Sequence, residues 1–314
     1  MLKFIDLFAG VGGFHAAFKG LAHCIFASEI NQDAQKTYAL NFPKTPLFGD
    51  ITDLSVQAQI SPHFDILCAG FPCQAFSIAG YQRGFEDTRG TLFFEIARIA
   101  RKHRPKVLFL ENVKNLKTHD RGRTFEVICS TLSDLGYAIY SAVLNSATHA
   151  NIPQNRERLF IVAFDTRQVK EHQNFTFPKP VKLNRNIHAC LQNLQQDHIF
   201  YYTPKSPYYA WLFEEVVKED TIYQLRRVYV RENKSNLCPT LTANMGMGGH
   251  NVPLIKDRFG IRKLTPRECF NFQGYPKSFK LPCLPNSKLY MQAGNSITMP
   301  LVRKIAKEIL KVLV

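Results

Sequence analysis

Along the first 165 residues, apolar runs too short for a helix take turns with stretches whose apolar residues recur at helical spacing. Lys3-Phe4-Ile5-Asp6-Leu7-Phe8 reads as a buried strand, and Gly10-Val11-Gly12-Gly13 turns the chain into a helix. Cys24 to Glu29 reads as the second strand, with a helix from Asp33 to Leu40 behind it, and a short third strand is expected to end near Gly49-Asp50. Phe64 to Ala69 is the fourth, stopping at Gly70-Phe71-Pro72. Thr91 to His103 carries Leu92, Ile96, Ile99 and Ala100 at helical spacing, and Pro105 ends that helix. Val107 to Leu110 and Leu159 to Ala163 are further strands. Strands alternating with helices build a mostly parallel sheet covered on both faces, so the fold class is α/β, doubly wound and Rossmann-like.

From about residue 166 helical periodicity weakens while aromatic, proline, asparagine and glycine content rises. This part reads as a smaller, loop-rich second domain. The expected division is residues 1–180 with 286–314 for the first domain and 181–285 for the second. An apolar helical pattern from Met299 to Leu313 is expected to pack back on the first domain.

In such a sheet the ligand sits at the carboxyl ends of the strands, where the first and fourth strands are neighbours. Gly10-x-Gly12-Gly13 is not the G-x-G-x-x-G dinucleotide fingerprint, because the third glycine is missing from its place. Glu29 ends the second strand, where doubly wound folds bind ribose hydroxyls, and Asp50 ends the third, within reach of an adenine amino group. Two acids and a short glycine turn suit an adenosine without a pyrophosphate. The plain alternative is a pair of solvated carboxylates at strand ends.

The same topology brings Cys73, in Gly70-Phe71-Pro72-Cys73-Gln74-Ala75-Phe76-Ser77, beside that pocket, and Glu111 to the end of the neighbouring fifth strand. Pro72 restricts the backbone at that corner. A thiolate can add to a ring carbon while a carboxyl group hydrogen-bonds the ring nitrogen that gains electron density. Glu111 acting as an acid near neutral pH would need a pKa raised by burial, and the thiol needs its proton removed. Position alone leaves this reading level with a packing cysteine and a salt-bridged glutamate.

The blocks Asp6-Leu7-Phe8-Ala9-Gly10-x-Gly12-Gly13, Gly70 to Gln74, Glu111-Asn112-Val113, Gln154-Asn155-Arg156-Glu157-Arg158, Arg267-Glu268-Cys269 through Gln273-Gly274-Tyr275-Pro276, and Gly294-Asn295-Ser296 occur in order. Together they resemble the bacterial C5-cytosine DNA methyltransferases of restriction–modification systems, over about residues 3–165 and 262–314. The resemblance implies a cysteine nucleophile, Cys73, adding to C6 of a flipped cytosine, Glu111 on N3, Arg158 on O2 and Arg156 on substrate or phosphate. S-adenosylmethionine is the implied methyl donor. Phe8 would stack on its adenine beside Gly10 and Gly12, Glu29 would hold the ribose and Asp50 the amino group, with Pro72, Leu92, Asn295 and Ser296 completing the pocket. The segment from Gln74 to Gly90 resembles the loop that closes over the base, with Gln74 and Ser77 expected to touch DNA. In the middle region Thr240-Leu241 matches the family's Thr-Leu dipeptide, Thr240 being expected on a phosphate, and Gly248-Gly249 follows as a recognition-loop candidate.

Tyr223 to Arg231 interleaves arginines and aromatics. It suits groove and phosphate contact, Arg227 being the residue singled out, and equally suits a strand with aromatics inside and arginines in water. An arginine pair there could read guanine.

Bulk properties agree with this reading. A net charge of +15 and a pI near 9.5 favour a polyanionic partner such as double-stranded DNA. The eight cysteines contain no Cys-x-x-Cys pair, which argues against zinc or disulfides and for a reducing, cytoplasmic setting. No apolar run approaches the ~18 residues of a membrane span, and Asp6 interrupts the N-terminal apolar stretch, against a secretion signal. No metal is expected, a monomer is, and a cognate endonuclease in the same host is the implied partner. The rivals are an RNA C5-cytosine methyltransferase, a catalytically silent DNA-binding protein and, more distantly, a nicotinamide oxidoreductase.

Overall fold

The computed structural model describes residues 1–72, 92–248 and 251–313, which fall into two compact units. The first comprises Met1–Leu144, Glu157–Lys179 and the chain from Val302 on; the second comprises Asn145–Arg156 and Pro180–Leu301.

Strands are numbered in chain order. The first unit is built on β1 (Lys3–Leu7), β2 (His23–Ser28), β3 (Leu47–Phe48), β4 (Ile66–Gly70), β5 (Val107–Val113), β6 (Tyr137–Asn145, its last residue in the second unit) and, after the two-residue β7 (Gln154–Asn155), β8 (Glu157–Asp165). Among the described residues a seven-stranded sheet runs in the order β3-β2-β1-β4-β5-β8-β6. The pairs β3–β2, β2–β1, β1–β4 and β4–β5 are parallel, and β8 runs antiparallel to β5. First and fourth strands are therefore neighbours, as the sequence order implied.

Burial explains why the central strands read as unbroken apolar runs. Ile66 to Ala69 and Val107 to Leu110 are fully buried, because helices cover both faces of a parallel sheet. One covering helix, Leu92–His103, buries Phe93, Phe94, Ile96, Ala97, Ile99 and Ala100. It stops at Arg104, whose φ of 51° leaves the helical region just ahead of Pro105. Truncating a side chain such as Leu108 to alanine in this core costs about 2–5 kcal/mol. The helix Met299–Leu313 buries Leu301, Val302, Ile305, Ala306 and Ile309 along one stripe, and Arg303 donates to the carbonyls of Ala17 and Lys19.

The sequence reading passed over several elements of the first unit, two of them long. The helix Arg123–Asp134 and the nine-residue β6 lie between the fifth and sixth expected strands. Most of β6 is only half-buried, so its pattern lacks the apolar run that marked the others.

The second unit holds a four-stranded sheet, β10 (Val230–Glu232), β9 (Tyr223–Leu225), β12 (Leu254–Asp257) and β13 (Gly260–Lys263) in that order, all antiparallel. Residues 145–156 join it because β7 pairs in parallel with β11 (Cys238–Pro239). Tyr223, Leu225, Leu254 and Ile261 form a small core with Leu212 and Val216. Beside it Arg262 is fully buried, donating to Asp257 at 2.6 Å and to both oxygens of Glu268 at 2.7 and 2.8 Å. Glu268 also closes a capping box with Thr265 at the start of helix Pro266–Phe272.

Candidate active site

Glu111 is the fifth residue of β5 and stands directly across from Gly70, the last residue of β4. A methyl group placed on Gly70 would lie 3.8 Å from Glu111 Oε2, so the two strand ends meet at the carboxylate. Arg158 pairs in register with Val113, which places it diagonally from Glu111 on the same face of the sheet. Its Nε lies 3.2 Å from Glu111 Oε1, with the two side chains only 15% and 11% exposed. Burial lowers the pKa of the Arg158 guanidinium and the Glu111 charge opposes that shift. Arg158 Nη1 donates to its neighbour's carbonyl, Glu157 O, at 2.8 Å.

The next residue along β5 has a part that sequence reasoning missed. Asn112 is buried and its amide donates to Phe71 O at 2.8 Å, while its Oδ1 accepts the Val113 N–H. The backbone leaving β4, two residues before Cys73, is thus tied to β5. The asparagine after the strand-end acid was the available signal, but an amide's partner cannot be read from spacing. Cys73 itself lies outside the described residues, as do Gln74, Ser77, the rest of the segment to Gly90, and Gly249. Pro72 is described and exposed.

At the end of β1 the chain turns sharply. Phe8, half-buried, has a φ of 54°, a left-handed conformation rare for a bulky residue and a mark of a constrained corner. Gly12 has a φ of 85°, and a side chain there would meet the Phe42 ring at 2.3 Å. Glycine is required here by both conformation and space. Glu29, just beyond β2, accepts the Gly10 N–H on Oε2 and the Asn31 N–H on Oε1, each at 2.7 Å. The turn and the acid, grouped in the sequence reading, are one hydrogen-bonded unit. Asp50, two residues past β3, is half-buried and accepts the Thr52 N–H at 2.9 Å. Leu92 opens its helix, half-buried. Behind the turn Asp6 is fully buried, and that burial pushes its carboxyl pKa well up, partly offset by the His15 backbone N–H.

The remaining candidates belong to the second unit. Arg156, expected on substrate or phosphate, is instead 2% exposed and donates to Leu241 O at 2.8 Å, Gly294 O at 3.1 Å and Ser296 O at 2.6 Å. A guanidinium committed to three carbonyls braces backbone. It holds the Thr240-Leu241 and Gly294-Asn295-Ser296 blocks together rather than presenting charge to a ligand. Gly294 is needed at that junction, since a Cβ would fall 2.2 Å from the Thr242 carbonyl group. Asn295 is exposed; Ser296 is buried, its hydroxyl 2.5 Å from the Tyr275 hydroxyl. The Thr240 hydroxyl donates to Asn155 O at 2.6 Å, so its proton is committed within the protein. Gly248 is exposed with a φ of 82°.

Arg227 sits with Val228 at the tip of the hairpin formed by β9 and β10, which the Arg226 N–H closes onto Tyr229 O at 2.9 Å. The hairpin separates its side chains into an inward and an outward set. Tyr223, Leu225 and Val230 face the small core, whereas Gln224, Arg226, Arg227 and Arg231 line a groove of about 860 Å³.

Among the described residues no cluster of three or more His, Cys, Asp or Glu could hold a metal, and no helix is long and apolar enough to cross a membrane. An enzyme of α/β architecture with an acid and an arginine at adjoining strand ends is the class these features define.

Residues 2–311 match the C-5 cytosine-specific DNA methylase family, and the chain belongs to it. It is 51% identical to the Type II methyltransferase M.Bsp6I of Bacillus sp. (strain RFL6), over 99% of each chain. It is 40% identical to M.HhaI of Haemophilus parahaemolyticus, covering 98% of this chain and 94% of that one. Among solved structures, the Entamoeba histolytica methyltransferase EhMeth superposes with a TM-score of 0.75 at 18% identity, over 100% of this chain and 99% of the other, a likeness of fold.

Proposed function

We propose that this chain transfers a methyl group from S-adenosylmethionine to C5 of a cytosine turned out of duplex DNA at a specific sequence, with Cys73 as nucleophile. The observation that carries the proposal is the buried Glu111–Arg158 pair beside Gly70, where β4 delivers the chain to Phe71, Pro72 and then Cys73. Turning the base out costs about a few kcal/mol and is required because C6 is inaccessible within the stack.

The Cys73 thiolate forms a bond to C6, and the electron pair of the C5–C6 double bond becomes available at C5. The charge that delocalises to N3 is met by a proton from Glu111, which in its protonated form donates from Oε2 on the Gly70 side while Arg158 holds Oε1, and which takes the proton back when the adduct collapses. Arg158 offers guanidinium N–H groups to the O2 of the ring. When C5 has gained its methyl group, its hydrogen leaves as a proton to solvent and the thiolate leaves C6, which restores the double bond and the enzyme.

S-adenosylmethionine supplies, when bound, an electrophilic methyl group on a sulfonium. The residues of the β1–β2 corner fit such a group. Glu29 is a carboxylate fixed by two backbone N–H groups and suited to ribose hydroxyls. Phe8 is held out of regular strand geometry beside it and suits the adenine face. Asp50 would take the adenine amino group, and Pro72 and Leu92 would supply apolar walls.

The basic hairpin of the second unit supports duplex DNA as the substrate, and the Type II names of the relatives support a cognate restriction endonuclease. The test is an adduct assay with duplexes carrying 5-fluorocytosine, whose fluorine cannot leave C5 as a cation. The unaltered protein is expected to form a denaturation-stable complex, and Cys73→Ala none, with cofactor affinity within a few-fold. A fully active Cys73→Ala protein would overturn the reading. Methyl transfer to transfer RNA in place of DNA would overturn the substrate assignment.

A further inference from the structure

We infer that the outer face of the β9–β10 hairpin reads guanine, with Arg226 and Gln224 as the specificity-determining pair. The inference rests on the reading that the second unit binds DNA.

Arg226 Nη2 donates to Gln224 Oε1 at 3.0 Å. Arginine can only donate, so this contact fixes which end of the Gln224 amide is which. The carbonyl is occupied and the NH₂ is turned away from Arg226. Register places Arg231 directly opposite Gln224 on the neighbouring strand, and strand alternation sends both side chains out of the core. Arg226, Gln224 and Arg231 line one groove, and none of its described lining residues is Asp or Glu.

The amides across the groove are set the same way. Asn145 Oδ1 accepts the Ala147 N–H, so its NH₂ is the donor to Asn155 Oδ1 at 2.7 Å. Asn244 Oδ1 accepts the Thr242 hydroxyl at 2.6 Å. Asn251 Oδ1 has no partner among the described residues and is buried out of reach. The acceptors left to the groove are hydroxyl oxygens and backbone. The hairpin's own outward groups, apart from the Tyr229 hydroxyl, are donors.

A donor face discriminates among bases by chemistry. In the major groove guanine presents two acceptors, N7 and O6. Adenine presents an acceptor next to a donor, and cytosine an amino donor that would confront these groups. A two-stranded ribbon fits the major groove in width. A phosphate also wants donors, but two features favour a base. Gln224 is neutral and oriented in advance, which suits recognition of an edge more than of a charge. The tip also exposes apolar surface, Val228 at 84% and Tyr229 at 51%, which gains nothing from phosphate oxygens.

The experiment measures methyl transfer by the full chain to duplexes with randomised flanks, sequences the products, and repeats the rates with 7-deazaguanine at each guanine found. That analogue keeps base pairing and removes only the N7 acceptor. At one guanine besides the partner of the target cytosine, the unaltered protein is expected to lose on the order of ten- to hundredfold in kcat/KM. Arg226→Ala is expected to lose a similar factor on the normal duplex and to become indifferent to the analogue there. Transfer to sequences without such a guanine, or tolerance of the analogue at every position by the unaltered protein, overturns the inference while leaving DNA methylation intact. So does uniform weakening in Arg226→Ala with its sequence preference unchanged, the signature of a phosphate contact. No transfer to any duplex brings down the DNA reading itself. The analogue series needs no variant, so a misfolded Arg226→Ala does not protect the inference.

Discussion

The strand ends of β4, β5 and β8 and the hairpin of β9 and β10 hold similar polar side chains and treat them oppositely. At the sheet, Glu111, Arg158 and Asn112 are nine-tenths buried or nearly so, and each is bonded to a neighbour inside the protein. At the hairpin, Arg226, Arg227 and Arg231 are exposed, and Gln224 is half-exposed with its carbonyl occupied. The difference follows from the task. A bond-making site must keep its groups in one geometry before the substrate arrives, which requires burial and fixed partners. A reading surface needs its donors uncommitted to the protein so that the partner can complete them.

The sharpest test of this contrast is Glu111→Gln, which keeps shape and burial but removes the charge. We expect kcat to fall on the order of 10²–10⁴-fold, the range for losing a group that acts on a proton or developing charge. Folding stability should fall as well, by up to about 3–5 kcal/mol, because the buried Arg158 guanidinium loses its counter-charge although the amide fits in the same space. Single-turnover rates with saturating duplex measure the first, and thermal unfolding the second. A rate within tenfold of the unaltered protein would mean the buried pair serves the sheet alone.

The same contrast governs what the sequence disclosed. The core strands were legible because a parallel sheet buries both faces and writes its strands as apolar runs, as Ile66 to Ala69 does. Glu111 and Glu29 were legible because topology fixes strand ends. Arg156 was not, since its role depends on carbonyls 85 to 140 residues away in sequence, at Leu241, Gly294 and Ser296. Arg156 and Arg158 stand two residues apart in one motif, yet one braces backbone and the other faces Glu111. Residue type could not distinguish them. The three-residue strands of the hairpin were too short for alternation to separate inward Tyr223 from outward Arg231. Asn112 was quoted as part of a block and given no work, because its bond to Phe71 is a tertiary fact.

Burial of the sheet region also has a pH signature. His15, on the helix that follows the glycine turn, stacks on Phe42 and shares a hydrogen bond with the Tyr38 hydroxyl. Burial first, and then the charge of His23, bring its pKa from 6.5 down to about 4. Between those values the unfolded chain binds a proton that the folded protein refuses. Stability from this group is therefore full above pH 6.5 and declines as pH falls toward 4, by at most about 3 kcal/mol. In His15→Gln, which keeps a hydrogen-bonding side chain and does not titrate here, this part of the acid sensitivity should vanish. Denaturant midpoints at pH 7, 6, 5 and 4.5 for both proteins measure it. Parallel curves would show that His15 takes up its proton without resistance.

The smallest effect compares one residue from each region directly. Asn112→Ala removes a buried amide that satisfies the Phe71 carbonyl and the Val113 N–H, leaving both without that partner in a dry setting. The cost should be about 1–3 kcal/mol. The rate of methyl transfer should fall with it, since the backbone entering Pro72-Cys73 loses its tie. Arg231→Ala removes an exposed side chain that points away from the small core, and should move stability by no more than about 0.5 kcal/mol. Its effect belongs in KM for the duplex and in the salt dependence of binding, with single-turnover kcat preserved. Chemical denaturation of the two variants side by side, followed by kinetics at two salt concentrations, decides the matter. If Arg231→Ala proves the more destabilising, the outward face of the hairpin is part of the fold's own support, and the separation of a committed site from an open reading surface fails at its second half.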